Sequence, residues 1–376
     1  MPGQLIENNG AMSSPEPADH YLIPIEGLKV PRSWIVGNVT IHPGSAISQL
    51  IAARPPVEST GGWQAEHVIE VLNQAGNSSV AEVGGVSDVD AAIELARLSL
   101  GALRLFARAR RQYFTGSFGL PGDLYQSHVS YVAVWKQSAA GFTFSGDHRG
   151  YEFTEESMND WESSNGFQYL HAALKDPNAS DGAKRAVNGV RAYDRAAREH
   201  RPDLKMIGFA MALEAWLLPR RTTGQSLRLA RHVSWFGCGQ HNNDLCGRAR
   251  PVCPYLHLSP DSKRDRDRLK VLQSLGDHHV SWRCAEWLRV RDWYEARSDA
   301  AHGDPLSVST AQADEADYWI AHTLSEPILE WLGAHPIDPV TDLDQALNHV
   351  KQPSGWPQML VALDAASPPA VPPPLG

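Results

Sequence analysis

Four cysteines in a chain of 376 residues are too few for a disulfide framework, and they fit reduced thiols or a single metal site. No stretch approaches the roughly eighteen uncharged apolar residues that a membrane span needs. The opening residues, MPGQLIENNGAMSSPEPADH, lack the basic region and apolar core of a secretory signal, so the expected compartment is the cytoplasm. Positive charge is also scarce. A formal net charge of -9 excludes a chain that coats duplex nucleic acid by bulk electrostatics, and leaves room only for local, selective contacts with RNA. No internal repeat is visible.

What is present is core-forming material. Apolar residues make up 42% of the chain and twelve are tryptophans, ample for sizeable cores at a length that suits two domains. The charge is unevenly spread: residues 166–335 hold 23 Lys and Arg against 21 Asp and Glu, so the acidic excess lies elsewhere. Residues 1–20 are polar and rich in Pro, Ser and Asn, the composition of a disordered N-terminus. From Tyr21, the segments YLIPIEGLKV, SWIVGNVTIHP, AEHVIEVLNQ and SVAEVGGV read as short strands broken by Gly, Pro and Asn. A long amphipathic helix follows, capped by Asp88 or Asp90, and then SHVSYVAVWKQ and AGFTFSGDHRGYEFTEE read as a hairpin. Residues 21–160 are therefore expected to form an α+β sensor or recognition domain.

After ESMNDWESSNG, read as a polar link, the pattern becomes helical and stays so to residue 335, which predicts an all-α bundle over 166–335. MIGFAMALEAWLL is apolar nearly all round and belongs at the bundle centre, which makes its single charge, Glu214, a buried acid. Residues 336–376 read as a Pro-rich tail with a short helix at DLDQALNHVKQ. In WLRVRDWYEARSDAAHGDP, residues 287–305, Trp287, Val290, Trp293, Tyr294, Ala300 and Ala301 fall on one apolar stripe, and Arg297 sits on it too. Such an arginine pairs with an acid, reaches solvent along its methylene stem, or awaits an anionic ligand.

The order LEAWLLP, SLRLARHV, YEARSDAAHG and EPILEWL resembles the HEPN domain, in particular the Apea-like HEPN group of prokaryotic proteins. The resemblance covers roughly residues 166–335, and YLIPIEGLKVPRSWIVGNVTIHPG is similar to the start of the domain that often precedes it. The family signature is Arg, a polar residue, three further positions and His; here Arg297, Ser298 and His302 take those places, with Gly303 following. Many members carry Asn, Asp or His where this chain has Ser298. The resemblance implies RNA cleavage without a metal cofactor, in prokaryotic defence or a toxin-like role, by a homodimer whose two motifs face one cleft. The competing reading is a catalytically silent HEPN module that binds RNA or a partner protein.

The implied chemistry can be rebuilt from the residues. Attack of a ribose 2'-hydroxyl on the neighbouring phosphate needs a proton acceptor, a cation for the phosphoryl oxygens and an acid for the leaving 5'-oxygen. Histidine titrates near neutrality and suits His302 to acid–base work, while the planar fork of Arg297 matches phosphate. At ~100° per residue the two lie about 140° apart on a regular helix, so either the helix ends before His302 or the site is composite. Ser298 and Asp299 stand four and three positions before His302 and could fix its tautomer, with Glu295 a turn further back. A purely structural reading also accounts for the motif: a helix-terminal His302 favoured by the dipole, and Arg297 neutralising Glu214.

A second constellation interrupts the bundle at 238–257, CGQHNNDLCGRARPVCPYLH. Cys238, Cys246, Cys253 and His257 have the chemistry of a closed tetrahedral structural zinc site, with His241 a substitute ligand; the alternative is three unrelated thiols. CPYLH resembles the end of CCCH zinc fingers, several of which bind single-stranded RNA, and Tyr255, Arg248 and Arg250 are the corresponding candidates for RNA contacts. Cys284 belongs in a core helix. The basic run DSKRDRDRLK, with Lys263, Arg264, Arg266, Arg268 and Lys270, reads as a solvated helix start; His278 and His279 read as surface, and ARARRQ at 107–112 as a helix end whose cations the dipole explains.

Overall fold

A computed structural model describes residues 20–52, 79–86, 88–110, 118–120, 130–136, 139–145, 150–219, 225–237, 258, 262–274, 289–290, 292–295, 297–298, 308–349 and 355–366. The layout is a small N-terminal sheet followed by a mostly helical remainder. Strands β1 (His20–Ile25), β2 (Leu28–Lys29), β3 (Trp34–Val36), β4 (Val39–Pro43) and β5 (Ser79–Gly84) come first, with α1 (Ile47–Ala52) before β5. Four of them form an antiparallel sheet in the order β1-β5-β4-β3, with Ile23 and Ile41 both opposite Ala81. Alternate residues of β3 and β4 are buried, as a half-covered sheet requires. The β3–β4 loop is Gly37-Asn38; Gly37 has φ 63° and backs onto Leu174 so closely that a side chain would collide.

Helix α2 (Val89–Arg110) begins where Asp88 Oδ1 accepts from the Ala91 amide at 2.8 Å, so Asp88 is the cap. Strands β6 (Ser130–Lys136) and β7 (Ala139–Ser145) make the expected hairpin, and β8 (Tyr151–Glu152) pairs in parallel with β2. The segment expected to be a polar link is instead helical: α3 (Glu155–Ser163) is capped by Thr154 and α4 (Asn165–Lys175) by Ser164. The reason is local. Met158 and Trp161, three apart, are both buried, so a short stretch that looks polar in composition still has one apolar edge. Trp161 packs edge-on to Trp34 at 5.7 Å and Phe106 at 5.2 Å, and Phe167 meets Phe106 at 4.9 Å. This aromatic cluster joins sheet to helices, and most of the buried apolar residues from Ile25 to Leu363 belong to one continuous core, with Ile47 and Val80 in a small cluster of their own.

The helices that follow are α5 (Asp181–Arg198), α6 (Pro202–Leu217), α7 (Gln225–Gly237), α8 (Lys263–Ser274) and α9 (Thr310–Trp319). A π-helical turn over Ile320–Ser325 continues α9 into α10 (Glu326–Ala334) without a loop. Pro327 explains the widening: it has no N–H to donate and its ring crowds the carbonyl of Thr323 one turn back. α5 and α6 are the most intimately packed pair, since Gly189 leaves room for the Trp216 indole, whose Nε1 donates to the Ala186 carbonyl at 3.4 Å. α6 is apolar nearly all round but is not enclosed all round: Met206, Phe209, Leu213 and Trp216 are buried, while Met211 is 50% exposed and the Glu214 side chain keeps partial exposure. Buried cations serve the core as well. Arg104 pairs with Asp194 and Arg108 lies 3.2 Å from Asp317, which also accepts from Tyr193 Oη at 2.6 Å. Arg108 is thus an ion-pair member inside the core as well as part of a cationic helix end.

The tail holds more structure than its prolines suggest. α11 (Pro339–Asn348), capped by Asp338, covers the expected short helix, and α12 (Trp356–Ala366) was not anticipated. α12 is fastened to α8 by Asp364, which accepts from Arg268 Nε and Nη2, each at 2.7 Å, and from Arg264. Arg268 is therefore a nearly buried clamp and not part of a solvated helix start. AEHVIEVLNQ lies outside the described residues, and among those residues no helix is long and apolar enough to cross a membrane.

Candidate functional site

Arg297 and Ser298 lie on a helical segment; the described residues between 289 and 298 are all helical. Val290 is buried and Trp293 packs edge-on to Trp319 of α9 at 5.2 Å, so the described part of the apolar stripe faces inward. Both aromatics next to the motif are used within the chain: Trp293 on Trp319, and Tyr294 beneath the Arg297 guanidinium, 5.3 Å from ring centre to Cζ.

The Arg297 side chain is partly buried and reaches toward α6. Its Nη2 stands 3.7 Å from Glu214 Oε1, close enough for attraction but too far for a hydrogen bond. Neither Glu214 Oε1 nor Arg297 Nε has a hydrogen-bond partner, although both atoms are buried. The pair is thus loose, with donor and acceptor capacity in hand. Burial pushes the Glu214 carboxyl above the ordinary range, with the nearby Arg297 charge opposing. Tyr294, whose hydroxyl donates to Gln225 Oε1 at 3.1 Å, is likewise raised by burial and by the neighbouring Glu214 charge.

In front of Glu214 opens a cleft of ≈350 Å³ lined by Asp181, Lys184, Arg185, Asn188, Glu214 and Gln225 among others. Arg185 is committed to architecture: Nε meets Asp181 at 2.5 Å, and Nη1 caps the end of α6 by donating to the carbonyls of Leu218 at 2.8 Å and Ala215 at 3.3 Å. Lys184 is exposed at the rim. The cleft can therefore offer an anionic ligand Lys184, while Arg297 does not line it and stands 3.7 Å from the Glu214 carboxylate that does. Among the predicted site residues, the structure brings together Arg297 and Glu214, places Ser298 one residue on, and leaves Glu295 exposed. His302 and Asp299 lie outside the described residues. So do Cys238, His241, Cys246, Arg248, Arg250, Cys253, Tyr255, His257, His278, His279 and Cys284. Among the described residues no group of His, Cys, Asp or Glu is arranged to hold a metal ion.

Two features escaped the reading of the sequence. His232 on α7, 1% exposed, bridges the Leu217 carbonyl at 2.7 Å and Asp344 of α11 at 2.8 Å. Burial raises the Asp344 carboxyl, but bonds from His232 and Arg228 outweigh it and hold it below the usual range. On the sheet, Ser33 Oγ lies 2.8 Å from His42 Nδ1, and His42 Nε2 lies 2.9 Å from Glu82 Oε2. Hydroxyl, imidazole and carboxylate stand in the order of a nucleophilic relay. The three come from separate strands or strand ends, so only pairing register could have shown them together, and none lines the cleft in front of Glu214. No protein-family model, curated protein or solved structure matches the chain.

Proposed function

We propose that the chain is a HEPN-type endoribonuclease that cleaves RNA by attack of a ribose 2'-hydroxyl on the adjacent phosphate. The observation that carries the reading is the loose Arg297–Glu214 contact at 3.7 Å beside a cleft. A guanidinium engaged only for charge balance would close to a hydrogen-bonded pair; one held short of that distance keeps donors for a phosphate. In this scheme the 2'-oxygen bonds to phosphorus and its proton passes to His302, the bond from phosphorus to the 5'-oxygen breaks and that oxygen takes a proton from the His302 of a second copy, and Arg297 carries the phosphoryl charge. The products are a 2',3'-cyclic phosphate and a 5'-hydroxyl. No catalytic metal is invoked. A second copy of the motif, in a homodimer, would supply the group that one helix cannot aim at the same phosphate.

The second reading, a silent HEPN scaffold for RNA or a partner protein, draws on the same contact: Arg297 stacked on Tyr294 and facing Glu214 also neutralises a half-buried acid. Cleavage assays separate them. Full-length protein should cut single-stranded RNA in the presence of EDTA and leave cyclic phosphate ends, and His302→Ala and Arg297→Ala should each lower the rate at least about a hundredfold. Equal cutting by His302→Ala and the parent would remove the ribonuclease reading.

A further inference from the structure

Helix α5 carries a row of cations of which the Glu214 cleft uses only Lys184. Lys184, Arg191, Arg195 and Arg198, with Asn188 between, recur at spacings of seven, four and three, which places them on one face. The opposite face, with Ala183, Ala186, Val187, Val190 and Tyr193, is buried. At ~1.5 Å per residue the row spans about 21 Å. One end stands at the cleft in front of Glu214, which Lys184 and Asn188 line. The other end is a separate cleft of ≈260 Å³ between α5 and α2, lined by Arg97, Arg191, Arg195 and Arg198 against Glu94 and Asp194.

The acids in this second cleft are already engaged. Asp194 is held by Arg104 from beneath and by Arg198 at 2.9 Å, and Glu94 by Arg97 at 3.0 Å. Gly101 lets α2 approach Asp194 this closely, since a side chain there would collide with it. What remains is Arg191, whose only partner among the described residues is the neutral Asn188 at 3.2 Å, and Arg195, exposed and with no carboxylate partner among them. Arginines crowded around one concavity repel one another until an anion bridges them, and their planar forks fit phosphate oxygens two at a time.

We infer that the α5 row is the track that carries the phosphate backbone of the RNA between the α2–α5 cleft and the Glu214 cleft. The inference rests on the ribonuclease reading for its substrate, and on the α5 row for its path. Among the described residues no aromatic side chain lines the α2–α5 cleft, so the contacts they offer there are to phosphate and do not read bases. Such contacts give affinity that falls with salt, with a slope of about 0.7 per phosphate for single strands.

The test measures binding of a fluorescein-labelled single-stranded RNA to the full chain across a salt series. Arg191→Ala/Arg195→Ala should weaken binding about tenfold and lower the salt slope by about 1.4, the share of two phosphates. Its melting temperature should match the parent's, because neither arginine holds a carboxylate. In the cleavage assay the same variant should raise KM and leave kcat alone. Lys29→Ala/Arg32→Ala, an equal loss of charge on the sheet side, should leave binding as it was. Parental affinity and slope in the Arg191/Arg195 variant, or an equal loss in the Lys29/Arg32 control, would overturn the track. The ribonuclease reading is judged separately, by whether Arg297→Ala and His302→Ala still cut.

Discussion

Arg297 and Glu214 show how much one contact decides. Because burial raises the Glu214 carboxyl and Arg297 opposes, removing Arg297 should push that carboxyl higher still. A raised carboxyl binds its proton more tightly in the folded chain, so its burden on stability sets in as pH climbs past the ordinary value of 4.5 and is complete above the folded one. Arg297→Ala should therefore lose stability relative to the parent more at pH 7 than at pH 5. With both side chains partly exposed, the loss should be about 1–2 kcal/mol and not the larger cost of breaking a fully buried pair. Glu214→Gln in the same chain should restore it. Chemical denaturation at the two pH values reads this out, and a loss independent of pH would show that Glu214 is not the partner that matters. Proximity of Arg297 to a single acid inside an apolar helix was legible from sequence, because few charges interrupt the stripes of either helix. The 3.7 Å separation was not, since it depends on how α6 and the Arg297 segment settle on Tyr294.

Among the elements, α12 depends most on a few charges. Bonds from Arg268 and then Arg264 hold the Asp364 carboxyl far below the usual 3.8. The sign is opposite to that of Glu214: this contribution is present above the usual value and disappears as pH falls below it toward the folded one. Acidification below about pH 4 should loosen α12 from α8, and Asp364→Asn should do so at neutral pH. Hydrogen exchange over residues 355–366 would report it; unchanged protection in Asp364→Asn would assign the docking to Trp356 and Leu363, which are buried there. The long helices α2 and α5 were readable from their apolar period, α6 from a continuous apolar run, and β1, β3, β4 and β5 from alternation. α3 and α12 were not. Each is short, with only two buried residues to betray a face, and α12 sits in a tail whose prolines dominate its composition. The second cleft was hidden for another reason: α5 declares its cations in sequence, but that Asp194 is already held by Arg104 of α2 is a fact of packing alone.

For the molecule as a whole, the aromatic cluster of Trp34, Phe106, Phe153, Trp161 and Phe167 binds the sheet to the helices within one apolar core. Trp161→Ala should cost about 3–5 kcal/mol, as large core aromatics do. It should lower near-ultraviolet and far-ultraviolet circular dichroism transitions together, and two separated transitions would argue against a shared core. The same connectedness gives another meaning to the loopless run from α9 through its π turn into α10. Trp319, the last residue before the π turn, touches Trp293 and Arg289, on the segment that carries Arg297. Halfway along, His322 bonds to the Ala109 carbonyl at 2.7 Å, and at the start of α10 Glu326 takes Ser164 at 2.5 Å and Arg110 at 3.0 Å. The three contacts fall within the eight residues Trp319–Glu326, on and beside the π turn, so the joint between α9 and α10 is the pinned part of the run: the Arg297 segment and the Arg110–Ser164 side lean on one short fixed stretch of backbone.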